Sequence, residues 1–263
     1  MIRITDTVKH LIIINVIFWI ATLTIGEYGS VFEGLFAMHF PLNDSFKPWQ
    51  LITNMFMHAS YVASNNGPTI FFFHILFNMI GLWMFGSAVE KILGRNKFLF
   101  FYFSCGLGAV LLPLAIDYYD FYSLINPLIE KGLDVKTLTD ALNQNKYNPE
   151  WVNILGESNW KELLNIFRTT SLGASGCVMG LMVAFGMLFP NAELMLIFLP
   201  IPIKAKYFIP LLLAYEIYSG VAGGSSMFGF NVGHFAHVGG ALIGFIIMLF
   251  WRNNEFDKFR IDR

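Results

Sequence analysis

Charge is scarce in this chain. Lysine, arginine, aspartate and glutamate together make up 13% of its 263 residues, and the net formal charge is −1. No basic tract occurs that could neutralise a run of phosphates, which argues against nucleic acid as a partner. Cysteine is scarcer still. Cys105 and Cys177 both fall inside apolar stretches, so neither a disulfide framework nor a zinc site is expected. There is no HExxH and no carboxylate spaced to share a metal with a histidine, so no metal or organic cofactor is expected. What fills the chain instead is apolar: 56% hydrophobic and 17% aromatic. That balance puts it in the membrane class and sets aside a soluble two-domain organisation.

Arg3 and Lys9 precede an apolar run over 11–26. No small-x-small cleavage site follows it cleanly, so it reads as a first transmembrane helix and not as a signal peptide. The segment after it carries Phe32, Leu35 and Phe36 at helical spacing beside Glu33, which suits an interfacial loop. Further crossings are expected at about 70–92, 98–116, 172–190, 207–222 and 232–251. Between the third and the fourth, residues 117–170 regain charge and read as an extracytoplasmic helical insertion. Within it Asn159 and Glu162 have the spacing of a capping box opening a helix through Phe167, and 138–142 suggest another short helix. The apolar run in LMLIFLPIPIKAK is too short to span and is broken by Pro200 and Pro202, so it belongs at the interface. The expected fold class is all-α, a single polytopic membrane domain over 1–263 built as a six-helix bundle.

Six crossings put both termini on one side. That side carries Arg3, Lys9, Lys91, Arg95, Lys97, Lys204, Lys206, Arg252, Lys258, Arg260 and Arg263. The other carries Lys47 and the insertion's Lys131, Lys136, Lys146, Lys161 and Arg168, and charges in long loops count least. The termini are therefore read as cytoplasmic. The second, fourth and sixth helices then start on the outer side, which sets His74 and Asn78, Ser175, and His237 within about two turns of the outer surface at about 1.5 Å per residue. Polar groups at one depth, delivered by three separate segments, are functional candidates because the membrane interior tolerates them only against protein or water.

Ser175 sits in LGASGCVMG between Gly173 and Gly176, where small neighbours let a backbone or a substrate come close. A serine hydroxyl becomes nucleophilic when a base takes its proton, and histidine suits that near neutral pH. His237 is the candidate base. It lies in AHVGGALIG with Gly240 and Gly244 on its own face, and this GxxxG pair matches Gly176 and Gly180 on the serine helix. Attack on an amide creates an oxyanion. His74 and Asn78, spaced i, i+4, and the amide of Ser175 near a helix N-terminus are the candidate donors. Glu90 is at an inner helix end and Glu216 in the fifth helix reads as structural, so a Ser/His dyad is the simpler arrangement. His234, one turn before His237, is the fallback base, but it lacks the glycine frame and reads as a surface histidine.

These motifs resemble the rhomboid family of intramembrane serine proteases: WQLITNMFMH at 49–58, HILFNM at 74–79, GSAVEKILGRNKF at 86–98, GASG at 173–176 and AHVGGALIG at 236–244. The resemblance covers most of the chain and implies a rhomboid-like six-helix bundle with an interfacial first loop. It implies Ser175 as nucleophile, His237 as general base, and His74 with Asn78 as oxyanion stabilisers. It also implies a water-filled cavity open to the outer side and single-span membrane proteins as substrates, cleaved within the lipid bilayer where their helix unwinds. The setting expected is an integral, multi-pass location in a bacterial cytoplasmic membrane. The alternative is a catalytically silent rhomboid-like protein that binds client transmembrane helices. A transporter is disfavoured because no internal inverted repeat or pair of broken helices is visible. The sequence departs from the family at three places. Met179 stands where an aromatic residue often stacks on the catalytic imidazole. His58, the counterpart of a histidine usually about five residues before the oxyanion histidine, is separated from His74 by SNNGPTIFFF and its flanks. The insertion at 117–170 is long.

Overall fold

In a computed structural model of the chain, residues 3–62, 67–196, 199–222 and 233–254 are described. Val232 at the start of the expected sixth crossing, and Lys258, Arg260 and Arg263 from the charge comparison, lie outside them. The structure is mostly helical. Helix α1 (Asp6–Thr24) exposes Ile13, Ile17 and Ile20, the mark of an element that meets lipid and not water. A short helix α2 (Ser30–Phe36) follows and does not cross. A two-stranded ribbon, β1 (Tyr61–Val62) and β2 (Thr69–Ile70), precedes α3 (Phe73–Leu93), which carries a π-helical stretch at Leu82–Gly86. Helix α4 (Arg95–Glu130) is 36 residues long and contains Pro113 and Pro127. The third crossing was expected to end at 116, but the helix runs on through Asp117 and Asp120 and forms the first part of the insertion.

The rest of the insertion is α5 (Val135–Asn143), α6 (Pro149–Leu155) and α7 (Glu157–Arg168). Asp134 caps α5 by accepting from the Thr137 N–H, and Asn148 caps α6 ahead of Pro149. The expected capping box at Asn159 and Glu162 is not formed. Gly156, at φ +79°, already ends α6 and starts α7, so Asn159 sits inside the helix and donates to the Leu155 carbonyl at 3.0 Å. These helices close a core of their own around Phe121, Leu128, Leu138, Leu163 and Phe167. Phe40 from the first loop enters that core, and a bridge between Met38 and Ser171 ties loop to insertion.

The bundle resumes with α8 (Ser175–Leu188), the ribbon β3 (Glu193–Leu196) and β4 (Leu199–Lys204), α9 (Ala205–Ala222) and α10 (His234–Asn254). The apolar run expected at the interface and not to span is an antiparallel ribbon, paired Glu193 to Lys204 and Leu194 to Ile203. Among the described residues four helices are long and apolar enough to cross a membrane: Asp6–Thr24, Phe73–Leu93, Arg95–Glu130 and His234–Trp251. The serine helix is apolar but has only 14 residues, and α9 completes the same bundle beside it. Residues 176–185 of α8 are all buried, at the centre of a core that includes Leu82, Phe101, Tyr102, Cys105 and Leu181.

At the end of the bundle away from His74 and Ser175, Glu90 accepts the Thr5 hydroxyl and, at 3.2 Å, the Val8 N–H. Glu90 therefore anchors the start of α1 to the end of α3.

Candidate active site

Gly173 has φ +137°, a region that L side chains rarely adopt, and its N–H donates to the Asn54 carbonyl at 2.9 Å. That turn aims the chain into α8, whose first residue is Ser175. A Cβ placed on Gly173 would stand 3.4 Å from the Ser175 Oγ, 3.4 Å from the His74 Cε1 and 3.5 Å from the His74 Nε2. The serine hydroxyl and the Nε2 edge of His74 therefore flank the same glycine. The N–H groups of Ser175 and Gly176, heading the helix, have no acceptor one turn back.

The protonation of His74 follows from its neighbours. The Ala59 N–H donates to its Nδ1 at 3.0 Å, so that nitrogen carries the lone pair and the neutral ring holds its proton on Nε2. His74 thus turns an N–H toward the glycine and the serine. Behind it stands His58, fully buried, its ring 5.3 Å from that of His74 in an edge-to-face contact. Nε2 of His58 lies 2.8 Å from Asn15 Oδ1, and the Asn15 amide is itself committed to the Leu11 carbonyl. Only the acceptor end of Asn15 is left for the imidazole, so His58 donates. The spacing that separates His58 from His74 in sequence is taken up by the β1–β2 ribbon, at whose base Phe71 N–H donates to Ser60 O at 2.8 Å. Asn78, one turn along α3, is buried and donates one amide hydrogen to the His74 carbonyl at 2.8 Å.

Helix α10 reaches this place wedged between two others. A Cβ on Gly240 would stand 2.1 Å from the Gly176 carbonyl oxygen, and one on Gly244 2.9 Å from the Gly180 Cα. On its other side, a Cβ on Gly239 would stand 2.2 Å from the Gly108 carbonyl oxygen in α4. Backbone thus meets backbone on both sides, which only glycine permits. His237 lies one turn before Gly240 and is 8% exposed. Its Nε2 has no hydrogen-bond partner among the described residues.

His234 falls elsewhere than the sequence suggested, while Glu216, read as structural, contacts two histidines of the neighbouring helix. Glu216 Oε2 lies 3.0 Å from the Nδ1 of His237, without the N–H aligned on the oxygen, and accepts a hydrogen bond from the Nδ1 of His234 at 2.7 Å. His234 is 7% exposed and is therefore not a surface histidine. Burying a carboxylate in an apolar bundle demands such partners. The available signal was direction: α9 runs from the β3–β4 ribbon toward the end of the bundle that holds Ser175, and Glu216 lies about 17 Å along it from Ala205 at about 1.5 Å per residue, level with His237. Met179 is buried in the main core.

A family model, the Rhomboid domain, matches residues 45–124 and 145–254. The chain belongs to the rhomboid family. As a rhomboid it is an integral, multi-pass membrane protein. The presenilin-associated rhomboid-like protein A, mitochondrial, of Danio rerio is 29% identical over 188 residues, which is 69% of this chain and 36% of that protein. Rhomboid protein 1, mitochondrial, of Saccharomyces cerevisiae is 22% identical over 173 residues, 66% of this chain and 36% of that one. A rhomboid protein of Bacillus subtilis is 34% identical over 59 residues, 22% of this chain and 24% of its own length. This rhomboid spans about 36% of the length of the first two. The expected bacterial membrane is at odds with the mitochondrial relatives and in keeping with the bacterial one. The stretch between the matched parts, 125–144, holds the end of α4 and all of α5.

Proposed function

We propose that this rhomboid is an intramembrane serine endopeptidase that hydrolyses a peptide bond in or near the transmembrane segment of single-span membrane proteins. The observation that carries the reading is that Ser175 Oγ and the Nε2–H of His74 flank the same glycine, Gly173, with His237 brought to the same helix by the glycine contacts. In this reading His237 Nε2 takes the Ser175 proton as Oγ attacks the scissile carbonyl. The oxyanion is met by the His74 Nε2–H, the second amide hydrogen of Asn78 and the N–H groups that head α8. His237 then returns the proton to the leaving amine, and water hydrolyses the acyl-enzyme by the same route in reverse.

The length of α8 supports access for that water. Fourteen residues span about 21 Å, against about 30 Å of hydrocarbon, so a helix that reaches the inner surface begins well below the outer one. Entry from the outer side, termini in the cytoplasm and six crossings are parts of the same proposal, resting on the distribution of basic residues.

The purified protein is to be incubated with a model single-span substrate beside Ser175→Ala and His237→Ala. Cleavage is expected for the wild type alone. Unchanged cleavage by either variant removes the mechanism, and substrate binding without cleavage by any form turns the assignment to a catalytically silent client-binding rhomboid.

A further inference from the structure

We propose that Glu216 is the positioning residue of the catalytic base: its carboxylate holds the His237 ring with the proton on Nδ1, which leaves the Nε2 lone pair for Ser175. The inference deepens the protease reading and rests on it for its catalytic meaning, although the orientation of the ring can be tested without catalysis.

Three observations carry it. First, a single carboxylate oxygen, Oε2, faces both histidines, 2.7 Å from His234 Nδ1 and 3.0 Å from His237 Nδ1. A carboxylate serving only to staple α9 to α10 needs one of these contacts. The His234 bond fixes the oxygen, and the fixed oxygen confronts the ring that the chemistry uses. Second, Glu216 is 7% exposed, and its partners among the described residues are these two imidazoles, so it is not a solvated charge that happens to lie nearby. Third, the frame that delivers His237 sets its backbone and not its ring. Gly240 and Gly244 fix α10 against α8, while Met179, in the place of an aromatic stack, provides no hydrogen bond to select a tautomer. An acceptor at Nδ1 selects it directly, because neutral imidazole has one N–H and places it where the acceptor is. The N–H of His237 is off the line to Oε2 in the free protein, and such contacts commonly tighten when substrate arrives.

The test uses the full chain with 15N-labelled histidine, solubilised in detergent, compared with Glu216→Gln, Glu216→Asp and His234→Ala. Nitrogen chemical shifts assign the protonated atom of His237 in each. The expected result is an Nδ1–H ring in the wild type and in Glu216→Asp, a mixture or an Nε2–H ring in Glu216→Gln, and a smaller shift toward such a mixture in His234→Ala, where the oxygen loses the bond that fixes it. Turnover of the model substrate is expected to fall at least about 100-fold in Glu216→Gln, the lower end of what a positioned acid–base group contributes, with KM nearly unchanged. Glu216→Asp should recover part of that loss. An identical His237 tautomer in wild type and Glu216→Gln overturns the proposal whether or not the protein cleaves anything. So does a stoichiometric divalent metal held by the three side chains and lost with Glu216. The expected tautomers in a wild type that never cleaves would leave the orientation standing and remove the protease reading instead.

Discussion

At the residue scale, the site consists of polar atoms whose roles are set by what occupies their other ends. The nitrogen of His74 that accepts from Ala59 determines which nitrogen donates, and the amide of Asn15 committed to Leu11 determines that His58 donates. Asn78→Ala is therefore expected to slow turnover by about 10²-fold without abolishing it, since one donor of several is lost. Wild-type rates in that variant would count against an oxyanion role. His58→Ala has a different signature. It strands the buried Asn15 oxygen and opens space behind the His74 ring, so thermal unfolding in detergent should shift to lower temperature, with a stability loss of about 1–3 kcal/mol. An unchanged transition would show that the contact holds nothing. The sequence made Ser175, His237 and His74 legible because each is a polar residue in an apolar run at one depth. It concealed the relation of Glu216 to them because that carboxylate is on α9 and meets α10 only in the folded bundle. His234 was misread for a related reason: its partner is on another helix, and no periodicity of its own helix reveals that.

At the element scale, the decisive contact is the wedging of α10 between α8 and α4. The GxxxG pairs on α8 and α10 were readable as matching faces. The second contact, Gly239 against Gly108, was not, because the two glycines of α4, Gly106 and Gly108, lack the four-residue spacing that announces a packing face. A methyl group at position 240 meets a backbone oxygen, which cannot swing aside as a side chain could. Gly240→Ala should thus destabilise by about 1–3 kcal/mol and misplace His237, lowering cleavage as well. Gly34→Ala is the matched control, since nothing lies within 4 Å of a Cβ built there. Comparable melting temperatures for the two variants would mean that the helices do not touch as described. Helix boundaries show the same limit of sequence reading. Asn159 looked like a cap by spacing, but Gly156 three residues earlier had already turned the chain.

At the scale of the whole molecule, two cores share one helix. The N-terminal part of α4 packs Phe98, Phe101 and Tyr102 into the membrane bundle, and its C-terminal part packs Phe121, Ile125 and Leu128 into the insertion. Composition placed a boundary between the two regions at 117, where charge returns. The backbone makes no boundary there, because a helix satisfies its own hydrogen bonds in lipid and in water alike. Class, membrane character and family were all legible in the sequence. The ribbon at Glu193–Lys204 was not, since a short apolar run broken by prolines has no period long enough to identify it.

The β1–β2 ribbon leaves the body of the protein at Ser60 and returns at Phe71, and these two residues are already hydrogen-bonded to each other. The ribbon is thus a detour whose start and finish coincide, and its length is free to drift without moving either histidine. Excising 61–70 and joining the ends by a two-residue turn should leave His58 against His74 and preserve cleavage, at the cost of the contacts of Tyr61 with Tyr28 and with the Leu23 carbonyl. Loss of activity in a shortened protein that still folds would show that the detour itself touches the substrate. The two imidazoles of this protein are thus held by adjacency in space and not by the count of residues between them.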